Sequence, residues 1–281
     1  MTGIHEQLKG KVAVVTGGGG VLCGSMAREL ARHGMKIAIL NYPKEPGDLA
    51  AADIIAQGGE AISVYCDVTD RSVVETAKQE VLKQYGRVDL LINGAGGNHP
   101  EGSTTNETYN EKDVADPDIR SFFDLSMKGF NFVFNLNLMG TLIPSQVFTD
   151  ELIKTEGSII NMSSMSAPSP MTKVPAYSAA KAGIDNFTQW MAVHFGEAGV
   201  RVNALAPGFF LTEQNRTLLT NADGSFTPRT EKILSQTPMK RLGKPEDLHG
   251  VLLWLADKTY SGFVTGISVP VDGGFMSYSG V

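Results

Sequence analysis

Residues 12–24 read VAVVTGGGGVLCG, an apolar run followed directly by a cluster of glycines. Apolar residues then recur at helical spacing as far as Gly34, so the stretch predicts a buried strand, a glycine turn and a helix. Glycine permits a positive φ and a close backbone approach, and the free N–H groups at a helix start attract a pyrophosphate. The turn therefore indicates a dinucleotide-binding loop. The residues expected to contact the ligand are Gly17, Gly19, Gly20 and Leu22.

The alternation of short apolar runs with longer segments of helical period continues along the whole chain. The apolar runs are residues 12–15, 37–40, 62–65, 88–92, 158–161, 202–205 and 267–271. Continuous apolar strands suit a parallel sheet that helices cover on both faces, with right-handed crossovers between strands. We therefore predict an α/β fold, a doubly wound Rossmann-type sandwich with a parallel sheet of about seven strands. Cofactors then bind beyond the carboxyl ends of the strands.

Bulk composition limits the classes of function. The 281 residues are 42% hydrophobic with a formal charge of −6, which suits one catalytic domain over residues 1–281. The acidic balance argues against nucleic acid or an anionic membrane as a partner, while a small anionic ligand stays open. Cys23 and Cys66 form no readable metal motif or disulfide framework, so no metal site is predicted. No signal peptide or membrane span is readable, and we expect a cytoplasmic protein.

Two polar segments are longer than the connections of such a sheet usually are, and they are the expected substrate contacts. The first is a polar insertion near residues 97–120, and the second is a loop near residues 207–238. Candidate residues in them are Asn98, His99, Glu213, Gln214 and Arg216. For His99, a simple role within its own loop is the alternative.

A tyrosine and a lysine form the clearest chemical pair. Tyr177 and Lys181 are four residues apart at the start of a helical pattern, so their side chains lie on the same face. A nearby ammonium favours the phenolate and draws the pKa of a tyrosine toward neutral pH. This pattern suits general acid–base catalysis. Ser164 follows the fifth predicted strand and stands thirteen residues before Tyr177.

In this order and spacing, the motifs resemble the short-chain dehydrogenase/reductase family over about residues 8–274. The resemblance implies an NAD(P)-dependent enzyme that acts on CH–OH groups through a tetrad of Asn137, Ser164, Tyr177 and Lys181. Tyr177 would transfer the proton and Ser164 would hold the reacting oxygen. Lys181 would also bind the nicotinamide ribose, and Asn137 would anchor a water that connects the lysine to solvent.

The glycine turn departs from the family pattern, which has glycine where this chain has Val21 and Cys23. Gly20 and Gly24 can compensate by a small shift. The resemblance implies further cofactor contacts at Asp67, Val68, Asn93, Ala95, Gly96, Pro207, Gly208 and Thr212. Two alternatives stay open, because the turn from Asn93 can simply stabilise the sheet and Asp67 can cap the following helix.

The choice between NAD and NADP falls at the end of the second strand. Asn41 stands where an acid would favour the 2′-hydroxyl of NAD, and it can bind that hydroxyl without repelling a 2′-phosphate. Lys44 could approach such a phosphate or lie in solvent. We expect a preference for NAD(H), with NADP(H) left open.

The substrate prediction depends on resemblance. Residues 96–100, the polar insertion and residues 171–177 are similar to the sugar-acid branch of the family, the D-mannonate oxidoreductases or fructuronate reductases. The implied substrates are D-fructuronate and D-mannonate, with Lys173 or Arg216 near the carboxylate. The expected substrate contacts are Asn98, His99, Ser164, Lys173, Tyr177 and Arg216. Another sugar, polyol or hydroxy acid, a redox-neutral epimerase and a non-enzymatic dinucleotide-binding protein are the alternatives.

Wide apolar stripes predict helix pairing between subunits. Phe130, Phe134, Phe187 and Trp190 make the stripes of two long helices wider than one sheet face needs. We expect a homotetramer or homodimer, with packing inside the core as the alternative.

Overall fold

The structure, a computed structural model, describes residues 5–212 and 216–280, except for the side chains of residues 217 and 218. One parallel sheet organises it, in the strand order β3-β2-β1-β4-β5-β6-β7. The strands are β1 (Val12–Thr16), β2 (Lys36–Asn41), β3 (Glu60–Tyr65), β4 (Leu90–Asn93), β5 (Ser158–Met162), β6 (Arg201–Pro207) and β7 (Ser268–Val271). The predicted fold is confirmed, and the predicted strand ends lie within two residues of those observed.

Helices cover both faces of this sheet. In the described residues they are α1 (Val21–Arg32), α2 (Glu45–Ala56), α3 (Arg71–Tyr85), α4 (Met127–Phe134), α5 (Gly140–Thr155), α6 (Pro175–His194), α7 (Arg216–Leu219), α8 (Pro228–Ser235), α9 (His249–Ala256) and α10 (Lys258–Ser261). Helices α1, α2 and α9 pack on one face, and α3, α5 and α6 pack on the other. A π-helical turn, Asn135–Met139, joins α4 to α5.

The strands are apolar throughout because both faces are covered. In β1, Val12 and Val14 point to the α3 face, while Ala13 and Val15 point to the α1 face, and all four are fully buried. The chain order reverses between β1 and β4, which are neighbours in the sheet. A crevice forms beyond the carboxyl ends of the strands at such a reversal.

The polar insertion lies against the helices that border this crevice. Its short 3₁₀ turn Pro100–Gly102 packs so closely on α4 that a Cβ on Gly129 would lie 2.5 Å from the backbone of Glu101. Thr104 donates its backbone N–H to the carbonyl of Lys173 at 2.8 Å. The insertion is therefore tied to the loop that precedes the tyrosine helix.

In the described part of the chain, no helix is both long enough and apolar enough to span a membrane.

Candidate active site

The glycine turn brings the start of α1 against the end of β4. Gly17 has a φ of +64°, and a Cβ there would lie 2.9 Å from the backbone of Ala95. Gly20 precedes α1 as its N-cap residue and gives no side-chain cap, and the first turn of α1 holds no acidic residue. The first N–H groups of α1 thus meet a cavity lined by Val21 and Leu22, in the arrangement that binds a pyrophosphate.

The departure from the family glycine pattern is absorbed by the packing around Cys23. A Cβ on Gly94 would lie 2.2 Å from Cys23 Sγ, so the thiol fills the space beside that glycine. Gly24 takes the close approach instead, since a Cβ there would lie 3.0 Å from the carbonyl oxygen of Gly18. Burial raises the pKa of Cys23 to about 12, which leaves a neutral thiol at physiological pH.

Asn41 links the glycine turn to the end of β2 through hydrogen bonds. Its Oδ1 accepts the backbone N–H of Gly19 at 3.0 Å, and its Nδ2 donates to the carbonyl of Pro43 at 2.7 Å. Lys44 forms an ion pair with Asp48 at 3.0 Å. The lysine considered as a partner for a 2′-phosphate is therefore already paired.

Asp67 and Asn93 lie in different environments. Asp67 lines the cavity, and its Oδ1 accepts the N–H and the hydroxyl of Thr69 at 2.9 and 2.7 Å. The N-cap residue of α3 is Asp70, and the hydrogen bonds of Asp67 lie in the turn that precedes this helix. Asn93 lies behind the cavity wall and donates through Nδ2 to Ser145 and Asn161, both at 2.9 Å. Through these hydrogen bonds Asn93 links β4 to β5 and α5.

The cavity at the carboxyl ends of the strands has a volume of about 630 Å³. It is lined by the expected cofactor residues Gly17, Gly19, Gly20, Leu22, Asn41, Asp67, Val68, Ala95, Gly96, Tyr177, Lys181, Pro207, Gly208 and Thr212. Other wall residues were not predicted from the sequence, among them Tyr42, Pro43, Cys66, Leu136, Met162, Met165, Met171 and Phe209. Several of them adjoin predicted contacts in the sequence, and this adjacency could have identified them as wall residues.

Three of the four tetrad residues surround the inner end of this cavity. Lys181 Nζ donates to the carbonyl of Met162 at 2.7 Å and lies 5.5 Å from the ring centroid of Tyr177. Ser164 lies close enough to Tyr177 to lower the pKa of the phenol. Ser164 Oγ also accepts the N–H and the hydroxyl of Ser166, both at 3.1 Å, which fixes its orientation.

The pKa of Tyr177 shifts in the direction opposite to our expectation. Burial raises it, and the nearby Ser164 lowers it by less. Burial also lowers the pKa of Lys181 to about 8, so the charged form of the lysine, which should favour the phenolate, is itself disfavoured relative to water. The prediction that the pKa of Tyr177 is drawn toward neutral pH is therefore wrong for this arrangement of the site.

Asn137, the fourth tetrad residue, is fully buried in the π-helical turn. Its Nδ2 donates to the carbonyls of Gly97 at 2.7 Å and Val133 at 2.8 Å, and its Oδ1 accepts the N–H of Gly97 at 3.3 Å. A Cβ on Gly96 would lie 2.7 Å from Asn137 Oδ1 and 3.4 Å from Lys181 Nζ. Glycine at position 96 therefore lets the asparagine and the lysine approach the same point.

Four expected substrate contacts lie outside the cavity wall: Asn98, His99, Lys173 and Arg216. Asn98 donates to Ser103 at 3.0 Å, and His99 Nδ1 accepts the N–H of Glu101 at 3.2 Å. His99 thus supports its own loop. Glu213 and Gln214 lie outside the described residues.

Three basic residues lie near Glu107 of the insertion, and of these only Lys173 was predicted from the sequence. Glu107 forms an ion pair with Lys232 of α8. This contact, with smaller contributions from Lys173 and Arg229, lowers the pKa of Glu107. A local basic cluster therefore joins the insertion, the Lys173 loop and α8.

Fold and site together define the class. The family model described as enoyl-(acyl carrier protein) reductase matches residues 22–276, and the chain belongs to the short-chain dehydrogenase/reductase family. It is therefore an oxidoreductase that acts on CH–OH groups with a nicotinamide dinucleotide, as that family does. In residues 5–212 and 216–280, no group of three or more His, Cys, Asp or Glu side chains could hold a metal ion.

Individual relatives are similar over their full length. An uncharacterized oxidoreductase, UxuB of Bacillus subtilis (strain 168), is 63% identical over 100% of both chains. An uncharacterized oxidoreductase of Haemophilus influenzae (strain Rd) is 46% identical over 99% of this chain and 97% of its own. The crystal structure of a "putative D-mannonate oxidoreductase" from Haemophilus influenza with bound NAD has a TM-score of 0.94 at 45% identity. That match covers 99% of this chain and 100% of the other.

Proposed function

We propose that the chain is an NAD(H)-dependent dehydrogenase that interconverts D-fructuronate and D-mannonate. The observation that carries the chemistry is the convergence of Ser164, Tyr177 and Lys181 at the inner end of one cavity. The name and bound NAD of the Haemophilus structure support the substrate and the cofactor.

The cofactor proposal also agrees with the cavity walls. The uncapped start of α1 suits the pyrophosphate, and Asn41 can hydrogen-bond a ribose hydroxyl. The first turn of α2 carries Glu45 and Asp48, and Asp48 already neutralises Lys44. With Lys44 and Asp48 paired, Glu45 leaves a net negative charge near the end of β2, which disfavours a 2′-phosphate and so favours NAD(H) over NADP(H).

When bound, the nicotinamide supplies or accepts the hydride. Tyr177 donates its hydroxyl proton to the developing alkoxide in reduction and takes it back in oxidation. Because burial raises the pKa of Tyr177, the phenol is protonated at neutral pH and ready to donate. Ser164 holds the same substrate oxygen. Lys181 binds the ribose and, with Asn137, connects the site to exchangeable protons.

The basic cluster supports an acidic substrate. Lys173, Arg229 and Lys232 lie near Glu107 where the insertion meets α8, on a chain whose formal charge is −6. Lys173 is two residues from Met171 of the cavity wall, so its charge would attract a carboxylate toward that wall. We propose that Lys173 or Arg216 then binds the carboxylate.

A kinetic panel tests this assignment. Purified enzyme is assayed at 340 nm with NADH or NADPH and D-fructuronate, D-tagaturonate or neutral ketoses, and with NAD⁺ or NADP⁺ and D-mannonate or D-gluconate. We expect the highest kcat/KM with D-fructuronate and NADH, and a loss of turnover in Tyr177→Phe. Better activity with neutral sugars would refute the acid specificity but not the dehydrogenase. Turnover without a net absorbance change would instead indicate an epimerase.

We also propose that the protein is a cytoplasmic homodimer or homotetramer. Phe130 and Phe134 pack in the core beside Tyr177, so these two residues follow the alternative of packing inside the core. Phe187 and Trp190 instead stack and line a groove of about 470 Å³ between α5 and α6, with Trp190 55% exposed. A monomeric mass by light scattering would exclude this assembly.

A further inference from the structure

One face of α6 carries buried polar groups that the proposed proton transfer does not use. Lys181 lies on this face with Ser178 three residues before it and Asp185 four residues after it, which places them on adjacent turns. Ser178 Oγ and Asp185 Oδ1 are both buried and make no hydrogen bond to the described residues. The hydroxyl of Ser163, next to the carbonyl that Lys181 contacts, is buried and unpartnered in the same way.

A buried ammonium in this position needs a counter-charge. The titratable groups that face Lys181 in the described residues are Cys23 from α1, and Tyr177 and Asp185 from α6. Burial lowers the pKa of Lys181 to about 8, and Cys23 and Asp185 oppose that decrease. The pKa of Cys23 is about 12, so its thiol is neutral at working pH and supplies no charge. Tyr177, whose pKa is raised, is neutral as well.

We propose that Asp185 is a positioning residue whose carboxylate keeps the buried amine of Lys181 protonated and able to bind the cofactor ribose. Asp185 does so through space, since Lys181 Nζ donates to the Met162 carbonyl and Asp185 Oδ1 makes no hydrogen bond to the described residues. The burial of Asp185 Oδ1 strengthens the effect, because charges separated from water are screened less. The inference rests on the proposed role of Lys181 but not on the identity of the substrate.

The test is the pH dependence of NADH binding, followed by NADH fluorescence from pH 6 to 9.5, for wild type and Asp185→Asn. Asparagine preserves shape and removes the charge. We expect the rise in Kd at alkaline pH to begin on the order of one pH unit lower in Asp185→Asn. The alkaline limb of kcat/KM should move by the same amount. Glu197→Gln removes an equal charge from an exposed position just beyond α6 and should leave both profiles unchanged.

Asp185→Glu should restore the wild-type profile at least in part, since it restores the charge. If Asp185→Asn fails to fold in thermal melts, Asp185→Ser is measured in its place. Identical pH profiles for wild type and the uncharged variant would overturn the proposal, as would a uniform loss of affinity at every pH. NADH binding that Lys181→Ala leaves unchanged at all pH values would refute the role of Lys181 itself, whatever the substrate panel shows.

Discussion

Replacing Asn41 by aspartate tests how the end of β2 selects the cofactor. Asn41 accepts from Gly19 at 3.0 Å and donates to the Pro43 carbonyl at 2.7 Å. Aspartate keeps the first hydrogen bond in a charge-assisted form, but it turns the second into a contact between two oxygens. Leaving the partly buried Pro43 carbonyl without its donor costs about 1–3 kcal/mol, and a charge-assisted bond returns about 1 kcal/mol. We expect a net loss of ~0–2 kcal/mol in the free energy of unfolding.

The same carboxylate should discriminate strongly between cofactors. A unit charge about 4 Å from another costs about 4 kcal/mol at an effective dielectric constant of about 20, and each 1.4 kcal/mol is about a tenfold effect. The ratio of kcat/KM for NADH over NADPH should therefore rise at least about tenfold in Asn41→Asp. Asn41→Ser, which loosens the turn without adding charge, should weaken both cofactors alike. An unchanged ratio in a variant that urea unfolding shows to be folded would refute selection by this strand end.

Three further predictions concern the walls of the site. Tyr177→Phe removes only the titrating hydroxyl, so kcat should fall at least about 100-fold while the NADH Kd stays unchanged; near-normal kcat would contradict acid–base catalysis. The pKa of Lys181 falls from 10.5 to about 8 on folding, so the unfolded chain binds more protons between these values and wild-type stability rises with pH there. Lys181→Met should consequently have a larger free energy of unfolding than wild type. The gain should be greatest below pH 8, about 3 kcal/mol before the lost hydrogen bond to the Met162 carbonyl is subtracted, and it should shrink toward pH 10.5. Urea unfolding at pH 7 and 9.5 tests this, and an equal difference at both would show that no charge is buried. Gly94→Ala should lower the Tm by several degrees, because its Cβ would meet Cys23 Sγ at 2.2 Å and the Thr16 carbonyl at 2.7 Å. Cys23→Gly should rescue part of that loss, and no rescue would show that the thiol does not limit the space.

Sequence patterns were sufficient to predict the features that depend on residues close together along the chain. The strands could be located because both faces of a parallel sheet are buried, which makes each strand continuously apolar. The glycine turn and the Tyr177–Lys181 spacing could be read for a similar reason, since each lies within a single strand end or helix turn. Asn41 was also located at the strand end, but its two hydrogen bonds to the turn depend on packing.

Features that depend on distant segments could not be read in this way. His99 looked like a substrate contact because it follows β4, yet its ring accepts from its own loop and packs 5.0 Å from Phe132 of α4. Glu107 and Lys232 are 125 residues apart, and only the folded chain brings them together. The pKa of Tyr177 was misjudged because spacing reveals the nearby lysine but not the burial that opposes its charge.

The π-helical turn Asn135–Met139 has a consequence for the rotational phase of the helices on either side of it. Each residue of an α-helix turns the chain by about 100°, so a π-turn sets α4 and α5 out of phase by roughly one residue's rotation. Deleting Leu138 would restore a uniform helix and rotate the aromatic face of α4 away from α6, or Asn137 away from Gly97. Single-residue insertions and deletions between residues 135 and 139 should therefore be far less tolerated than substitutions at exposed positions of the same segment.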